Sequence, residues 1–147
     1  MPVTRYVIMP PTIRWRWKFT NPLLVKFDSP KSHKLAVERI ARYFQREFGY
    51  DFLQYTAEGA SPSMSAYLWV QHPVVENFAA TCIGAAGFVT HENSKRQHLN
   101  WVWLHPFCRR QGYLTRAWPT FRASHGDFTL EHPLSEAMEK FLETVTQ

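Results

Sequence analysis

The chain changes from a strand-like to a helix-like pattern within the stretch LHPFCRRQGYLT, residues 104–115. An alternating aromatic pattern precedes this stretch and a helical pattern follows it. Arg109 and Gly112 give it the spacing Arg-x-x-Gly. At a helix start, unpartnered backbone N–H groups and the positive end of the helix dipole point the same way. The stretch therefore predicts a binding site for an anion such as a phosphate.

Three strands are predicted upstream of this stretch, at 66–71, 79–90 and 97–104, with turn-forming residues between them. Short connections between sequential strands favour an antiparallel meander. In the third strand, alternation puts His98, Asn100, Val102 and Leu104 on one face, and on the other Leu99, Trp101 and Trp103.

The N-terminal part predicts two further strands and a helix. Residues 14–19 alternate basic and aromatic side chains, which is typical of a half-buried strand. Stacking on single-stranded nucleic acid is the alternative for this segment. A second strand is predicted at 23–27, and a helix follows with Ser29 as N-cap, Pro30 as first helical residue and Gly49 as stop. The apolar spacing of this helix is carried by Leu35, Ala36, Ile40, Tyr43, Phe44 and Phe48.

The C-terminal part predicts a helix, a short strand and a last helix. The first helix runs over about 110–124 and stops at Gly126, and Pro119 kinks it or starts a new turn. The strand lies at 128–130 and the last helix at 136–144. This order predicts a mixed α/β fold with a mostly antiparallel central sheet, flanking helices and a parallel strand pair near the C-terminus.

Composition limits the class of protein. The chain has 147 residues, 45% of them hydrophobic, which suits one domain over 1–147 with a full core. The two cysteines, Cys82 and Cys108, predict neither a disulfide framework nor a zinc site, and they favour a reducing, cytoplasmic compartment. No run of residues is long and apolar enough to span a membrane. The net charge of +5 fits an anionic partner such as nucleic acid or an acidic protein, and equally an ordinary basic surface.

The order of elements around residues 104–115 resembles that of the GCN5-related N-acetyltransferases (GNATs). In that family, a loop of pattern Arg/Gln-x-x-Gly-x-Gly/Ala follows the fourth strand, and its backbone amides hold the pyrophosphate of acetyl-coenzyme A. The loop here is 109–114, and Leu114 departs from the usual glycine or alanine. The resemblance implies a GNAT-like fold with acetyl-coenzyme A as cofactor. It also implies a set of cofactor-binding residues: Trp103, Leu104, Arg109, Arg110, Gln111, Gly112, Tyr113, Leu114 and Thr115.

Residues 103–116 also resemble the cofactor loop of the cohesion-establishment acetyltransferases. Both have an aromatic strand, a double arginine six residues after Trp103, and a basic residue beyond it. The segment Glu131-His132-Pro133 is similar to their acidic-proline segment before the last helix. Their zinc finger has no counterpart here, so the likeness is local and implies no chromatin substrate.

The resemblance implies where the carbonyl and the base would be. In the family, a strand-end backbone N–H polarises the thioester carbonyl, and Trp103 and Leu104 occupy that place. Histone-acetylating members carry a strand glutamate fourteen residues before the loop glycine, where this chain has His98. A neutral histidine can accept a proton near neutral pH, although a surface role at a hairpin end is the alternative. Glu131 is the second candidate base.

The chain departs most from the family at the general acid, the residue that protonates the leaving thiolate. Many members carry a tyrosine in the last helix, and the matching residue here is Phe141. A phenylalanine donates no proton, so Ser135, Tyr113 or water is expected to protonate the leaving thiolate. Ser135 is also the predicted N-cap of the last helix.

A metal site is not expected. Three histidines, His91, His98 and His105, recur at intervals of seven residues. An odd interval places neighbouring residues on opposite faces of a strand, so they do not converge on one ion.

Together, these patterns predict an enzyme that moves an acetyl group from acetyl-coenzyme A to a primary amine within a ternary complex. The amine belongs to a protein lysine, an N-terminus or a small molecule. The alternative is a catalytically weak or inactive GNAT-fold module that binds nucleic acid or an acidic protein. The final hairpin usual in the family is missing after the last helix, so either the acceptor groove is open or the second subunit of a homodimer covers it.

Overall fold

A computed structural model describes residues 7–71, 76–90, 96–130 and 136–145 of the chain. A 3-10 turn, Pro106–Cys108, lies between the fifth strand and the second helix. The strands and helices in these ranges are, in chain order, β1 (Thr12–Arg14), β2 (Leu23–Lys26), α1 (Lys31–Phe48), β3 (Met64–Val70), β4 (Ala79–Thr90), β5 (Gln97–Leu104), α2 (Tyr113–His125), β6 (Thr129–Leu130) and α3 (Glu136–Val145).

The strands form one sheet in the order β2-β3-β4-β5-β6. Neighbours are antiparallel except β5 and β6, which are parallel and are joined through α2. β1 pairs with the first three residues of β4, beyond the point where β5 ends. This arrangement confirms the predicted mixed α/β fold, its antiparallel centre and its parallel pair near the C-terminus. The bounds of β4 and β5 are those that the sequence predicts.

Helices cover both faces of the sheet. One core contains Val37 and Ile40 of α1 together with Trp103 of β5. The other core contains Trp118 and Phe121 of α2, and half-buried side chains of α3 pack against it. The end of β5 is therefore held between packed layers on both sides. None of the helices in the described ranges is long and apolar enough to cross a membrane.

The first strand differs from its prediction at 14–19, because β1 ends at Arg14. Trp15 instead binds the segment before β4, where its N–H donates to Phe78 O (2.9 Å) and its carbonyl accepts from Asn77 N (2.8 Å). The chain turns directly afterwards, so the predicted alternation does not form one wet and one buried face. Trp15 is buried, whereas Trp17 is 59% exposed.

The start of α1 also differs from its prediction, while its end is confirmed. Ser29 Oγ accepts a hydrogen bond from Lys26 N (2.8 Å), so it does not cap the helix, which begins one residue later than predicted. Gly49 ends the helix in the left-handed region, with a φ of 72°. Leu35 and Phe48 belong to the predicted apolar face, yet each is 45% exposed.

α2 begins at Tyr113, three residues later than predicted. Arg110 and Gly112 take φ angles of 64° and 84°, which a right-handed helix does not allow. The helix continues through Pro119, so the proline does not start a separate helix, and Gly126 follows as the predicted stop.

A bulge in β5 changes the predicted faces of this strand. Trp101 pairs with Gly87 and Leu99 pairs with Phe88, which leaves Asn100 as an extra residue. Leu99 therefore packs in the core beside α2, whereas Trp101 packs in the core beside α1. The prediction that Leu99 and Trp101 share a face is wrong, because the extra residue reverses the alternation between them.

Candidate functional site

The parallel strands β5 and β6 separate in the first half of β5. They pair at His98 with Thr129 and at Leu99 with Leu130, and β5 then continues to Leu104 without β6. A cleft with a volume of about 860 Å³ opens where they part, and the β5 residues from Leu99 onward line it. We call it the β5–β6 cleft.

The bulge residue Asn100 lies at this opening. It directly follows the last residue of β5 that pairs with β6, and it lines the cleft. A bulge bends its strand and increases the local twist. The bulge thus helps β5 to diverge from β6 at this position.

Among the residues that the structure describes, no strand pairs with this edge of β5 beyond Leu99. Trp103 O points toward β4, since a Cβ placed on Gly84 would lie 2.7 Å from it. Leu104 O instead accepts a hydrogen bond from Arg109 Nε (2.8 Å). Successive strand residues direct their backbone groups to opposite edges. Val102 and Leu104 therefore present their backbone groups to the β5–β6 cleft.

α2 begins in the wall of the same cleft. Gly112 precedes the helix, and no side chain caps it. The hydrogen bond from Arg116 N to Gly112 O (2.9 Å) is the first one of the helix. The N–H groups of Tyr113, Leu114 and Thr115 therefore have no carbonyl acceptor within the helix. All three residues line the cleft. Backbone donors and the positive end of the helix dipole are therefore available to an anion there.

Gly112 is required by both its conformation and its surroundings. Its φ of 84° is rare for residues with a side chain. A Cβ at this position would lie 2.7 Å from Arg116 Nη1. Arg116 braces the loop, since Nη1 donates to Gln111 O (3.0 Å) and the guanidinium lies 5.1 Å from the centre of the Tyr113 ring. The predicted loop residues Gln111, Gly112 and Tyr113 thus come together at the start of α2.

Arg109, a predicted cofactor residue, ties this loop to α1. Its Nη1 and Nη2 donate to Glu47 Oε2 (2.9 Å) and Oε1 (2.6 Å). Trp103 Nε1 also donates to Glu47 Oε1 (2.9 Å). Burial acts to raise the pKa of Glu47, but the hydrogen bonds from Arg109 and Trp103 and the charge of Arg109 outweigh it, so the pKa lies below its ordinary value. Sequence reasoning missed Glu47, which lies 62 residues from Arg109 and has no local signal.

The charge of the cleft is positive. Arg109, Arg110 and Lys140 line it, and no aspartate or glutamate does so among the residues that the structure describes. The charge of Arg109 is paired with Glu47, which leaves Arg110 and Lys140 as the other cations of the lining. This charge favours an anionic ligand near the start of α2.

α3 forms the opposite wall of the cleft. Phe141 lies in this wall and packs edge-to-face on Trp118, with ring centres 5.0 Å apart. It stands where the family's tyrosine was expected. Tyr113, a predicted alternative acid, also lines the cleft. The predicted residues Glu131 and Ser135 lie outside the described residues.

The predicted base His98 does not line the cleft. Its Nδ1 shares a hydrogen bond with Thr129 Oγ1, at the end where β5 and β6 are still paired. The structure places the predicted cofactor residues other than Gln111 in the lining of the cleft, and it places His98 next to this lining, where β5 and β6 are still paired. The role of His98 as a base stays a prediction.

Neither a thiol nucleophile nor a metal centre is built around the 3-10 turn. Burial raises the pKa of the Cys108 thiol, which disfavours the reactive thiolate. Burial and the charge of Arg109 lower the pKa of His105, and His105 Nδ1 accepts a hydrogen bond from Phe107 N (3.1 Å). Within 7–71, 76–90, 96–130 and 136–145, no group of three His, Cys, Asp or Glu residues could hold a metal ion.

The α1 side of the cleft is aromatic. Four residues from the end of α1 and the segment behind it line this side, and we call them the aromatic wall: Phe44, Phe48, Tyr50 and Phe52. Phe44 packs on Phe48 and Tyr50, with ring centres 5.0 Å and 5.2 Å apart. Gln54 lines the cleft beside them and is 8% exposed. Sequence reasoning missed this wall, although the aromatic residues that directly follow Gly49 were an available signal.

Comparisons with known proteins give a distant likeness. No protein-family model matches the chain, and no curated protein sequence does. The fold is similar to two solved structures of an aminoglycoside acetyltransferase from an uncultured soil metagenomic sample, one in complex with trehalose and one with sisomicin. Their TM-scores are 0.47 and 0.46, and in both cases the identity is 14% over 84% of this chain and 82% of that chain. A likeness at this level assigns neither a substrate nor an activity. The likeness of residues 103–116 to the cohesion-establishment acetyltransferases stays a prediction.

Proposed function

We propose that this chain transfers an acetyl group from acetyl-coenzyme A to a primary amine. One observation carries the proposal: β5 and β6 separate directly beside the N-terminus of α2. An open strand edge and a helix start with available amides therefore share one cleft. The resemblance of the 109–114 loop to the GNAT loop leads us to expect the same two features together.

The start of α2 fits the pyrophosphate of the cofactor. The amides of residues 113–115 offer several donors to one anion, and Arg110 and Lys140 add positive charge. Gly112 keeps the approach clear, because a side chain there would be strained and would meet Arg116. We assign phosphate binding to these residues. We assign to Arg109 the task of holding the loop through Glu47.

The open edge of β5 fits the amide-bearing arm of the cofactor and its thioester. Val102 and Leu104 offer backbone groups there, in the manner of a strand that lacks its neighbour. We assign polarisation of the thioester carbonyl to the Leu104 N–H, since a preorganised donor aimed at developing negative charge lowers the barrier. The backbone of Trp103 faces β4, so its part is structural, through the indole bound to Glu47.

Acetyl-coenzyme A, when bound, supplies an acyl carbon activated as a thioester, and the new C–N bond replaces the C–S bond, whose electron pair leaves on sulfur. The cleft then has to position the amine and accept its proton. A proton reaches His98 only through water, because His98 is not part of the lining, and Glu131 remains the other proposed base. We assign protonation of the sulfur to Tyr113 or to water.

Isothermal titration with acetyl-coenzyme A tests the cofactor site. We expect Gly112→Asp to weaken binding by about 100-fold or more, because it sets a carboxylate against the pyrophosphate. Gly126→Asp is the matched control, since Gly126 also has a positive φ (62°), follows the other end of α2 and does not line the cleft. It should leave the affinity unchanged. Equal affinities of the wild type and Gly112→Asp would overturn the proposal, and binding without acetylation of any amine would indicate the non-catalytic alternative.

A further inference from the structure

We propose that the acceptor for this cleft is an arylamine: an amine that is uncharged at neutral pH because it is attached directly to an aromatic ring. The inference rests on the proposed acetyl transfer and names its acceptor class. Three features of the cleft support it: the aromatic wall on the α1 side, the lack of a carboxylate among the described lining residues, and one buried amide.

Two residues of the aromatic wall, Phe48 and Phe52, offer apolar surface that the core does not use. Phe48 is 45% exposed and Phe52 is 65% exposed, although both are large aromatic side chains. Tyr50 stacks on the buried Phe44 with an angle of 12° between the rings, and Phe48 is tilted by 45° to Phe44. Aromatic rings pair in stacked or edge-to-face geometries that add to the effect of burial alone. A planar ring is therefore the group that this wall fits best.

The charge of the lining disfavours an ammonium group. Within the described chain, the lining has no carboxylate to pair with a cation, and its cations Arg110 and Lys140 are assigned to the cofactor's phosphates. The nearby carboxylate, Glu47, is held by both terminal nitrogens of Arg109 and by the Trp103 indole. An alkylammonium or a polyamine therefore finds no counter-ion among the described lining residues, whereas an uncharged arylamine needs none.

An uncharged amine also makes a smaller demand on a base, since the described lining contains no histidine, aspartate or glutamate, His98 lies outside this lining, and Glu131 lies outside the described residues. An ammonium must lose a proton before it can attack, and this requires a base. An arylamine already carries its free electron pair. On transfer, its nitrogen gains the acetyl carbon and releases one proton, and the sulfur leaves with its electron pair as the thiol or thiolate.

Gln54 supplies a polar contact beside the aromatic wall. It is 8% exposed and lines the cleft, and its Oε1 has no hydrogen-bond partner among the described residues. A buried acceptor without a donor is unfavourable. The terminal amide rotates over a broad range, so an N–H donor on a bound ring can supply the missing partner.

A matched pair of amines tests the inference: aniline and benzylamine, which differ by one methylene group. Benzylamine is an ammonium at neutral pH, and spermidine serves as the polycation. We expect release of coenzyme A thiol with aniline. At pH 7, kcat/KM for benzylamine should be lower than for aniline by about tenfold or more. The difference in kcat/KM between aniline and benzylamine should decrease as the pH rises, because a larger fraction of benzylamine becomes uncharged. Spermidine should be the poorest acceptor.

Ring binding is measured separately, by saturation-transfer NMR of aniline with the chain in the absence of cofactor. Phe52→Ala should weaken this binding, whereas Phe78→Ala should not, because Phe78 is 67% exposed but does not line the cleft. Preference for benzylamine or spermidine at pH 7 would overturn the arylamine inference and leave acetyl transfer intact. If Phe52→Ala and Phe78→Ala weaken aniline binding equally, or if the wild type does not bind aniline, the proposed role of the aromatic wall is overturned. Failure to bind acetyl-coenzyme A would count against the proposed function instead.

Discussion

The two sides of the β5–β6 cleft are made from different parts of the chain. On the α2 side, we assign cofactor binding mainly to backbone groups: the amides at 113–115 and the edge of β5 at Val102 and Leu104. On the α1 side, we assign acceptor binding to the side chains of the aromatic wall. Backbone groups offer the same hydrogen bonds in any chain that has this fold. Side chains decide which molecule is accepted, so the difference separates a general cofactor site from a specific acceptor site.

The largest expected effect concerns the packing of the α2 side. Phe121 is fully buried, and its ring centre lies 4.8 Å from that of Tyr67 and 5.1 Å from that of Phe88. Phe121→Ala should lower the free energy of unfolding by about 3–5 kcal/mol, measured by urea denaturation. Phe107→Ala, at an 85% exposed site, should change it by less than about 0.5 kcal/mol.

The same position can sharpen the comparison between the two sides. Phe121→Leu leaves a smaller void and keeps more of the fold stable. Since Phe121 fixes α2 and does not touch the aromatic wall, this variant should bind acetyl-coenzyme A more weakly and bind aniline as the wild type does. Parallel loss of both ligands would mean that the two sides are one cooperative unit.

The α2 side could largely be predicted from the sequence, because its signals are local. Alternation predicted the bounds of β5, and the Arg-x-x-Gly spacing indicated a helix after it, although α2 begins at Tyr113, three residues later than predicted. The bulge at Asn100 could not be read in this way, since it depends on the register with β4. Leu99 was placed on the wrong face for that reason.

The α1 side was predicted only in part: the end of α1 at Gly49 is confirmed, but long-range packing decides which aromatic side chains line the cleft. Phe48 was expected in the core from its helical spacing, yet it is 45% exposed and lines the cleft. Glu47 carried no motif and gains its place only through Arg109 and Trp103, 62 and 56 residues away. Such contacts need the tertiary structure.

A smaller effect is expected at the ion pair that joins the two sides. The Arg109 and Glu47 side chains are 36% and 28% exposed, so solvent weakens their attraction. A double-mutant cycle with Arg109→Gln and Glu47→Gln should give a coupling of about 1 kcal/mol or less in the free energy of unfolding. The same cycle at Arg122 and Asp127, an exposed pair 2.8 Å apart, should give less. A coupling no larger than in that control would show that Arg109 does not tie the loop to α1.

The smallest effect is the pH dependence of this ion pair. The folded-state pKa of Glu47 is below its ordinary value of 4.5, owing to Arg109 and Trp103 and against the effect of burial. Its contribution to stability is therefore fully present above pH 4.5 and is lost as the pH falls through the folded pKa. Urea denaturation across this range should give a steeper acid loss for the wild type than for Glu47→Gln. If the free energy of unfolding falls equally steeply with pH in the wild type and in Glu47→Gln, then the ion pair of Glu47 does not contribute to stability.

The most direct test of the central claim is a crystal structure of the chain with acetyl-coenzyme A. The account predicts pyrophosphate oxygens within hydrogen-bond distance, about 2.7–3.2 Å, of the backbone amides of residues 113–115. It also predicts that the thioester lies along the open edge of β5 beside Leu104. Pyrophosphate bound away from the start of α2, or a cofactor that leaves the β5–β6 cleft empty, would contradict it.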